Sequence, residues 1–178
     1  MKSLILAFLA VALPLPAAAE GEHAHMSPYA GEQQREIKSL SAEDIAELKA
    51  GGGWGLAKPA ELNGVPGPSH VLKMKRELAL TADQERSVER IFEEMRNQAV
   101  VEGKNLLAGE AALDTAFRDG SIDPDHLRML LRRIEASRAS LRFVHLAAHL
   151  QMARILNEDQ VKRYNELRGY TVNGHRQR

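Results

Sequence analysis

The sharpest chemical spacing in the chain is His145-x-x-x-His149, followed three residues later by Met152. Residues four apart on a helix lie one above the other, so imidazoles at this spacing can share one Zn²⁺, Cu²⁺ or Ni²⁺ ion. Two nitrogens alone make a loose site. If the segment carrying them folds back about a turn near residue 121, His145 falls opposite residue 97 and His149 opposite residue 93. Glu93 and Glu94 then become candidate third ligands, with Met95 or Met152 as a soft extra ligand for copper. The same spacing also suits a metal-free arrangement, with His145 a core residue on an apolar stripe and His149 hydrogen-bonded to Glu93 or Glu94. No Glu lies between the histidines in the His-Glu-x-x-His manner, so metalloprotease chemistry is not indicated. His126 belongs to the first turn of its helix and faces solvent; His70 and His175 are isolated.

A second, more diffuse pattern is the series Arg128, Arg132, Arg133, Arg138 and Arg142. It could line a basic face for acidic or unfolded partners, with nearby Leu and Met supplying adaptable apolar contact. A charged helix is equally a solvated one. Without Cys, a Gly-x-Ser-x-Gly elbow or a strand-borne pair of acids, the chain offers no nucleophile or poised base, and no enzyme activity or required cofactor is expected. The run Gly51-Gly52-Gly53-Trp54-Gly55 lacks the Gly-Lys-Ser/Thr ending of a phosphate loop.

These residues are positioned by a stretch, Thr81 to Leu156, that reads as two long helices joined by Asp119-Gly120-Ser121-Ile122-Asp123-Pro124. The first arm, from about Ala82 to Arg118, carries Val88, Ile91, Phe92, Met95, Ala99, Leu106, Leu113 and Phe117 at three- and four-residue spacing. Gly103 and Gly109 predict a bend or break in it. The second arm starts at Asp123-Pro124-Asp125, a cap, a proline suited to the first helical position and an acid suited to the first turn. Its stripe runs Leu127, Leu130, Leu131, Ile134, Leu141, His145, Ala148, Met152, Ile155. From Leu141 on, the opposite side is apolar too, through Phe143, Leu146, Leu150 and Ala153. Such a helix needs cover on both sides, from other helices or a second subunit. Leu80-Thr81-Ala82-Asp83-Gln84 and Leu156-Asn157-Glu158-Asp159-Gln160 are capping boxes, and the second adds a staple pair, Leu156 and Val161. The second box opens a last helix, Glu158 to about Arg168.

Around this hairpin the chain divides as follows. Residues 1–19 have the positive start, apolar core and Ala17-Ala18-Ala19 end of a cleaved signal peptide, too short to span a bilayer. This predicts export with no transmembrane anchor after cleavage. Residues 20–68 are a polar tail with His23-Ala24-His25-Met26, a short helix opened by Ser41 and closed at Gly51, and a Gly/Pro-rich arm bearing the only Trp, Trp54. The histidine-bearing tail suits a solvated segment or loose copper and nickel chelation. Residues 69–170 hold the helical hairpin, preceded by a short helix from Val71 to Leu78, and residues 171–178 are a basic tail. With no cysteine there are neither disulfides nor thiolate ligands. Lys and Arg number 13 against 18 Asp and Glu over residues 1–120, and 11 against 6 over residues 121–178, net charges of −5 and +5. The opposite signs favour pairing of the two arms, and the balance argues against nucleic acid as a partner.

A Leu-Thr-x-x-Gln box, a long helical hairpin and a second similar box, behind a signal peptide, resemble the Spy/CpxP family of periplasmic proteins, which includes zinc-resistance and metal-sensor relatives. The resemblance covers roughly residues 70–170 and departs at Asn157, where the family has Thr; Asn caps equally well. It implies an all-α fold, a long helical hairpin with short flanking helices in an interlocked homodimer, located in the periplasm. It further implies ATP-independent binding of unfolded or misfolded envelope proteins, or alternatively binding or sensing of a divalent metal (Zn, Cu or Ni) by His, Glu and Met from the helices.

Overall fold

A computed structural model describes residues 27–170, which form helices and turns with no strand among them. The stretch read as a signal peptide, the His23-His25-Met26 segment and the basic tail with His175 lie outside the described residues. Residues 27–33 are a short turn of their own, and the chain from Gln34 on forms the helical body. Its helices are α1 (Ala42–Lys49), α2 (Lys58–Glu61), α3 (Pro68–Lys73), α4 (Ala82–Arg118), α5 (Pro124–Ile155) and α6 (Glu158–Leu167). The two long helices α4 and α5 pack against each other as the expected hairpin. None of the described helices is long and apolar enough to cross a membrane.

The helix starts are set locally. Thr81 Oγ1 accepts from the Gln84 amide at 3.2 Å, and Gln84 Oε1 accepts from the Thr81 amide at 3.0 Å. Asn157 and Gln160 repeat this at 2.8 and 3.0 Å, and Ser41 with Asp44 does the same for α1. Asp123 accepts from the amides of Asp125 and His126, with Pro124 as the first residue of α5. Each arrangement satisfies amides that a starting helix leaves without partners.

Two expectations need correction. α4 continues unbroken through Gly103 and Gly109. Those glycines serve close approach instead: a Cβ on Gly103 would lie 2.4 Å from the Leu48 carbonyl oxygen, and one on Gly109 2.8 Å from Ile134 Cγ1. α3 ends at Lys73 rather than Leu78. Beyond it the Leu80 amide returns to the Lys75 carbonyl and Ala79 takes a left-handed φ of 48°, a closed turn that still buries Leu78.

The buried residues fall in two groups along the hairpin. Ile37, Leu40, Ile45 and Leu48 pack on Ala99, Leu106, Leu107, Ile134 and Leu141. Val71, Leu78 and Tyr164 pack on Val88, Ile91, Met95, Ala148, Met152 and Leu156. α1 and the strand-free segment before it therefore cover one part of the hairpin, and α3 with α6 cover another. The Gly/Pro arm runs between them. The second apolar side of α5 finds no such cover among the described residues: Phe143 and Leu150 are 72% and 65% exposed.

Candidate functional site

The arm and the hairpin enclose a cleft of about 460 Å³. Its walls come from Glu47, Gly51–Gly53 and Trp54 of the arm side, Glu61, Gly67 and His70 beyond them, Phe92, Met95 and Arg96 of α4, and His145 and His149 of α5. Both histidines are buried, 4% and 6% exposed. They belong to the stripe that faces the covering segments, because positions 141, 145, 148, 149 and 152 follow the three- and four-residue period of one helix side.

Both imidazoles meet backbone of the arm. His149 Nδ1 lies 2.8 Å from the Val65 carbonyl oxygen. A carbonyl only accepts, so Nδ1 carries a proton, and in the neutral ring Nε2 is the nitrogen with the lone pair. That nitrogen faces Gly67, where a Cβ would sit 2.8 Å from it. His145 lies beside the Gly52 carbonyl, and its Nε2 is buried with no hydrogen-bond partner among the described residues. Burial lowers the His145 pKa, against the opposing pull of the Gly52 carbonyl, and favours the neutral ring.

The other side of the arm is locked to α6 through one carboxylate oxygen. Glu61 Oε1 accepts from Tyr164 Oη at 2.8 Å, Tyr170 Oη at 3.0 Å and Arg168 Nε at 3.0 Å, and His70 Nδ1 stands 3.5 Å away. Burial works to raise the Glu61 pKa, but the two phenols, His70 and Arg168 outweigh it and hold the carboxyl below its usual range. Burial raises the Tyr164 phenol strongly, and Glu61 adds to the effect. Burial lowers the pKa of His70, opposed by Glu61. Trp54 ties the arm to α1, its indole N–H donating to Asp44 Oδ1 at 2.7 Å while the Arg138 guanidinium stacks 5.0 Å from the ring centroid.

Not all the residues singled out by spacing meet here. Glu93 and Glu94 are exposed, Glu93 near Arg96 at 4.0 Å, because the buried stripe of α4 passes through Ile91, Met95 and Ala99 and turns positions 93 and 94 outward. Neither supplies a third ligand, and the partner of His149 is Val65, not a glutamate. Met152 is fully buried in the apolar group around Val88 and Tyr164. Met95, by contrast, lines the cleft. No group of three or more His, Asp or Glu side chains is arranged to hold a metal ion among the described residues.

The arginine series also divides. Arg138 bonds Glu110 Oε1 at 3.0 Å and covers Trp54, so it belongs to the packing of the arm and not to an open surface. Arg128 pairs with Asp125 at 2.6 Å but remains exposed, as do Arg132, Arg133 and Arg142. No model of a known protein family, no curated protein and no solved structure matches this chain.

Proposed function

We propose that this chain is an exported, ATP-independent chaperone-like protein of the Spy/CpxP type, which holds unfolded or aggregation-prone envelope proteins. The observation that carries the reading is the outward side of α5. Arg128, Arg132, Phe143 and Leu150 recur there at intervals of four, eleven and seven residues, all exposed, with Leu146 half-buried between the last two. These intervals return to one side of an α-helix, so apolar and cationic side chains form a single stripe. Contiguous exposed apolar surface of this kind marks a site of interaction.

Burying Phe143 and Leu150 against a client contributes roughly 1.5–3 kcal/mol each. Part of this is lost to ordering the client, which leaves weak and reversible capture that needs no nucleotide for release. The guanidinium groups add attraction to acidic segments and leave the apolar contact unspecific. Export rests on residues 1–19, and the homodimer on the family resemblance.

The test is light scattering of a reduced or heat-stressed client protein with and without the purified chain. Suppression is expected, and Phe143→Ser with Leu150→Ser should remove most of it while leaving the thermal unfolding midpoint of the chain unchanged. Full suppression by that variant, or none by the native chain, refutes the reading. A native dimer that becomes monomeric in the variant assigns the stripe to self-association instead and refutes it equally.

A second reading, metal binding through His145 and His149, is favoured by the buried His145 Nε2, which has no hydrogen-bond partner among the described residues, and by His149 on the same cleft wall.

A further inference from the structure

We propose that the cleft binds a short aliphatic diamine, with one ammonium group at each of two carboxylate–imidazole pairs on its wall. Such a site is independent of the client-holding stripe on α5, and its occupant is organic where the second reading has a metal. The cleft has the size and make-up of a small-molecule site, apolar walls with a few convergent polar groups. Trp54, Phe92, Met95 and Pro68 supply the apolar walls. His145 Nε2 is a buried polar atom with no partner among the described residues, which a native interior rarely leaves without a ligand or water to satisfy it. Trp54 stands at φ 45°, a left-handed conformation that a bulky residue adopts only under constraint. Its amide is held by Glu47 and its indole by Asp44. Strain kept in this way gathers at ligand sites.

Glu61 and His149 form the inner pair. The bonds that Glu61 receives from Tyr164, Tyr170 and Arg168 all fall on Oε1. Its Oε2 lies 3.6 Å from the position a Gly67 Cβ would take, and His149 Nε2 lies 2.8 Å from the same position. The two atoms therefore share one edge of the cleft, kept open because residue 67 has no side chain. Glu47 and His145 form the outer pair, and both adjoin Gly52. Glu47 Oε1 is 3.1 Å from where a Gly52 Cβ would stand, and His145 lies beside the Gly52 carbonyl. Glu47 commits Oε1 to the Trp54 amide, and no described residue bonds its other oxygen. A carboxylate only accepts and carries charge, so each pair calls for a cationic donor. An ammonium offers three N–H groups and no acceptor, enough to serve a carboxylate oxygen and the imidazole beside it. His145 and His149 are four residues apart on α5, a rise of about 6 Å, and four methylenes between two amines span a similar length. The apolar walls suit those methylenes. Lys58 and Arg96 also line the cleft, but both are exposed, with Glu93 4.0 Å from Arg96.

The experiment is calorimetric titration of the purified chain, without a polyhistidine tag, with 1,4-diaminobutane in a chelator that keeps metal out. Trp54, the only tryptophan, stands on the wall and reports the same binding by fluorescence. Butylamine, with one amine, and 1,4-butanediol, with none, are the comparison ligands. One diamine per chain is expected, bound about 10-fold or more tightly than butylamine. Glu47→Gln keeps an oxygen for the Trp54 amide and removes only the outer charge. It should weaken the diamine by about 10-fold while leaving butylamine binding and the unfolding midpoint close to native. His145→Leu should weaken the diamine by about 10-fold as well. Gly67→Ala closes the edge shared by Glu61 and His149 and should weaken both amines. No binding of the diamine overturns the proposal. So does butylamine or butanediol bound as tightly as the diamine, or a diamine affinity unchanged by Glu47→Gln or by His145→Leu. Binding that appears only once Zn²⁺ is added in excess of the chelator overturns it in favour of the second reading.

Discussion

Gln84 and Gln160 each close a capping box, and their side chains also meet. Gln160 Oε1 accepts from its own cap amide, Asn157, at 3.0 Å and from Gln84 Nε2 at 2.9 Å. Its Nε2 donates to the Leu78 carbonyl at 3.2 Å and to Gln84 Oε1 at 3.0 Å. Gln84 completes the pattern by donating to the Ile155 carbonyl at 2.8 Å. Each amide thus uses both protons and both oxygen lone pairs, a fully satisfied network joining the starts of α4 and α6 to the end of α5. At roughly 0.5–1.5 kcal/mol net per bond, Gln160→Ala should cost about 2–4 kcal/mol, and Gln84→Ala, in a more open position, about 2 kcal/mol. The two bonds between the glutamines are counted in both, so the double variant should fall short of the sum by about 1–2 kcal/mol. Urea unfolding of the four proteins, with a common slope against urea, measures this coupling. Gln160→Glu should cost more than Gln160→Ala at neutral pH, since its carboxylate would face the Leu78 carbonyl and the Gln84 oxygen with no proton to offer. Additivity within about 0.3 kcal/mol would show that the boxes act only as separate caps and would sink the argument.

Gly103→Ala should lower the urea midpoint by the equivalent of about 1–2 kcal/mol: helix propensity favours Ala by up to ~1 kcal/mol, but forcing a Cβ against the Leu48 carbonyl costs about 1–3 kcal/mol. A more stable variant would refute the close-approach account. Stability should also fall with acid in two windows. Burial holds His145 and His70 below the ordinary value of 6.5, so the unfolded chain takes up protons first and stability, complete above pH 6.5, declines below it. Glu61 is held below its ordinary 4.5, so its contribution, present above that pH, is lost as pH falls through its lower folded pKa. His145→Leu should flatten the first window; Glu61→Gln should flatten the second and cost about 1–2 kcal/mol at neutral pH. An unaltered pH profile of unfolding midpoint in either variant contradicts its assignment.

The hairpin was legible because its signals are local. A cap residue and the residue three later lie within one turn, so Thr81 with Gln84, Asn157 with Gln160 and Asp123 with Pro124 announce their helices without knowledge of the rest of the fold. The meeting of Gln84 with Gln160 links positions 76 residues apart, and nothing in either box announces it. Glu93 and Glu94 failed as ligands for a related reason. Counting residues back from the turn gives height along the hairpin but not direction around the helix axis. Direction was available in the stripe Ile91, Met95, Ala99, which places position 95 inward and positions 93 and 94 outward.

The glycines and prolines of the arm conceal its role. A segment with no helical period reads as a connector, yet for that reason its carbonyls lack intrahelical partners and must find donors elsewhere. Val65 finds the His149 imidazole, Gly52 lies beside His145, and Gly64 accepts from the Asn165 side chain at 3.1 Å. The Val65 bond places a proton on Nδ1 of His149. The arm's side chains act in the same direction, Glu61 fastening it to α6 and Trp54 to α1 at its two ends. A hairpin of two helices supplies a row of imidazoles; only an irregular segment laid across it, rich in free carbonyls and bare of side chains at Gly67, can orient those rings and leave room beside them. The chemistry of this chain therefore depends on the segment whose composition looks least structured.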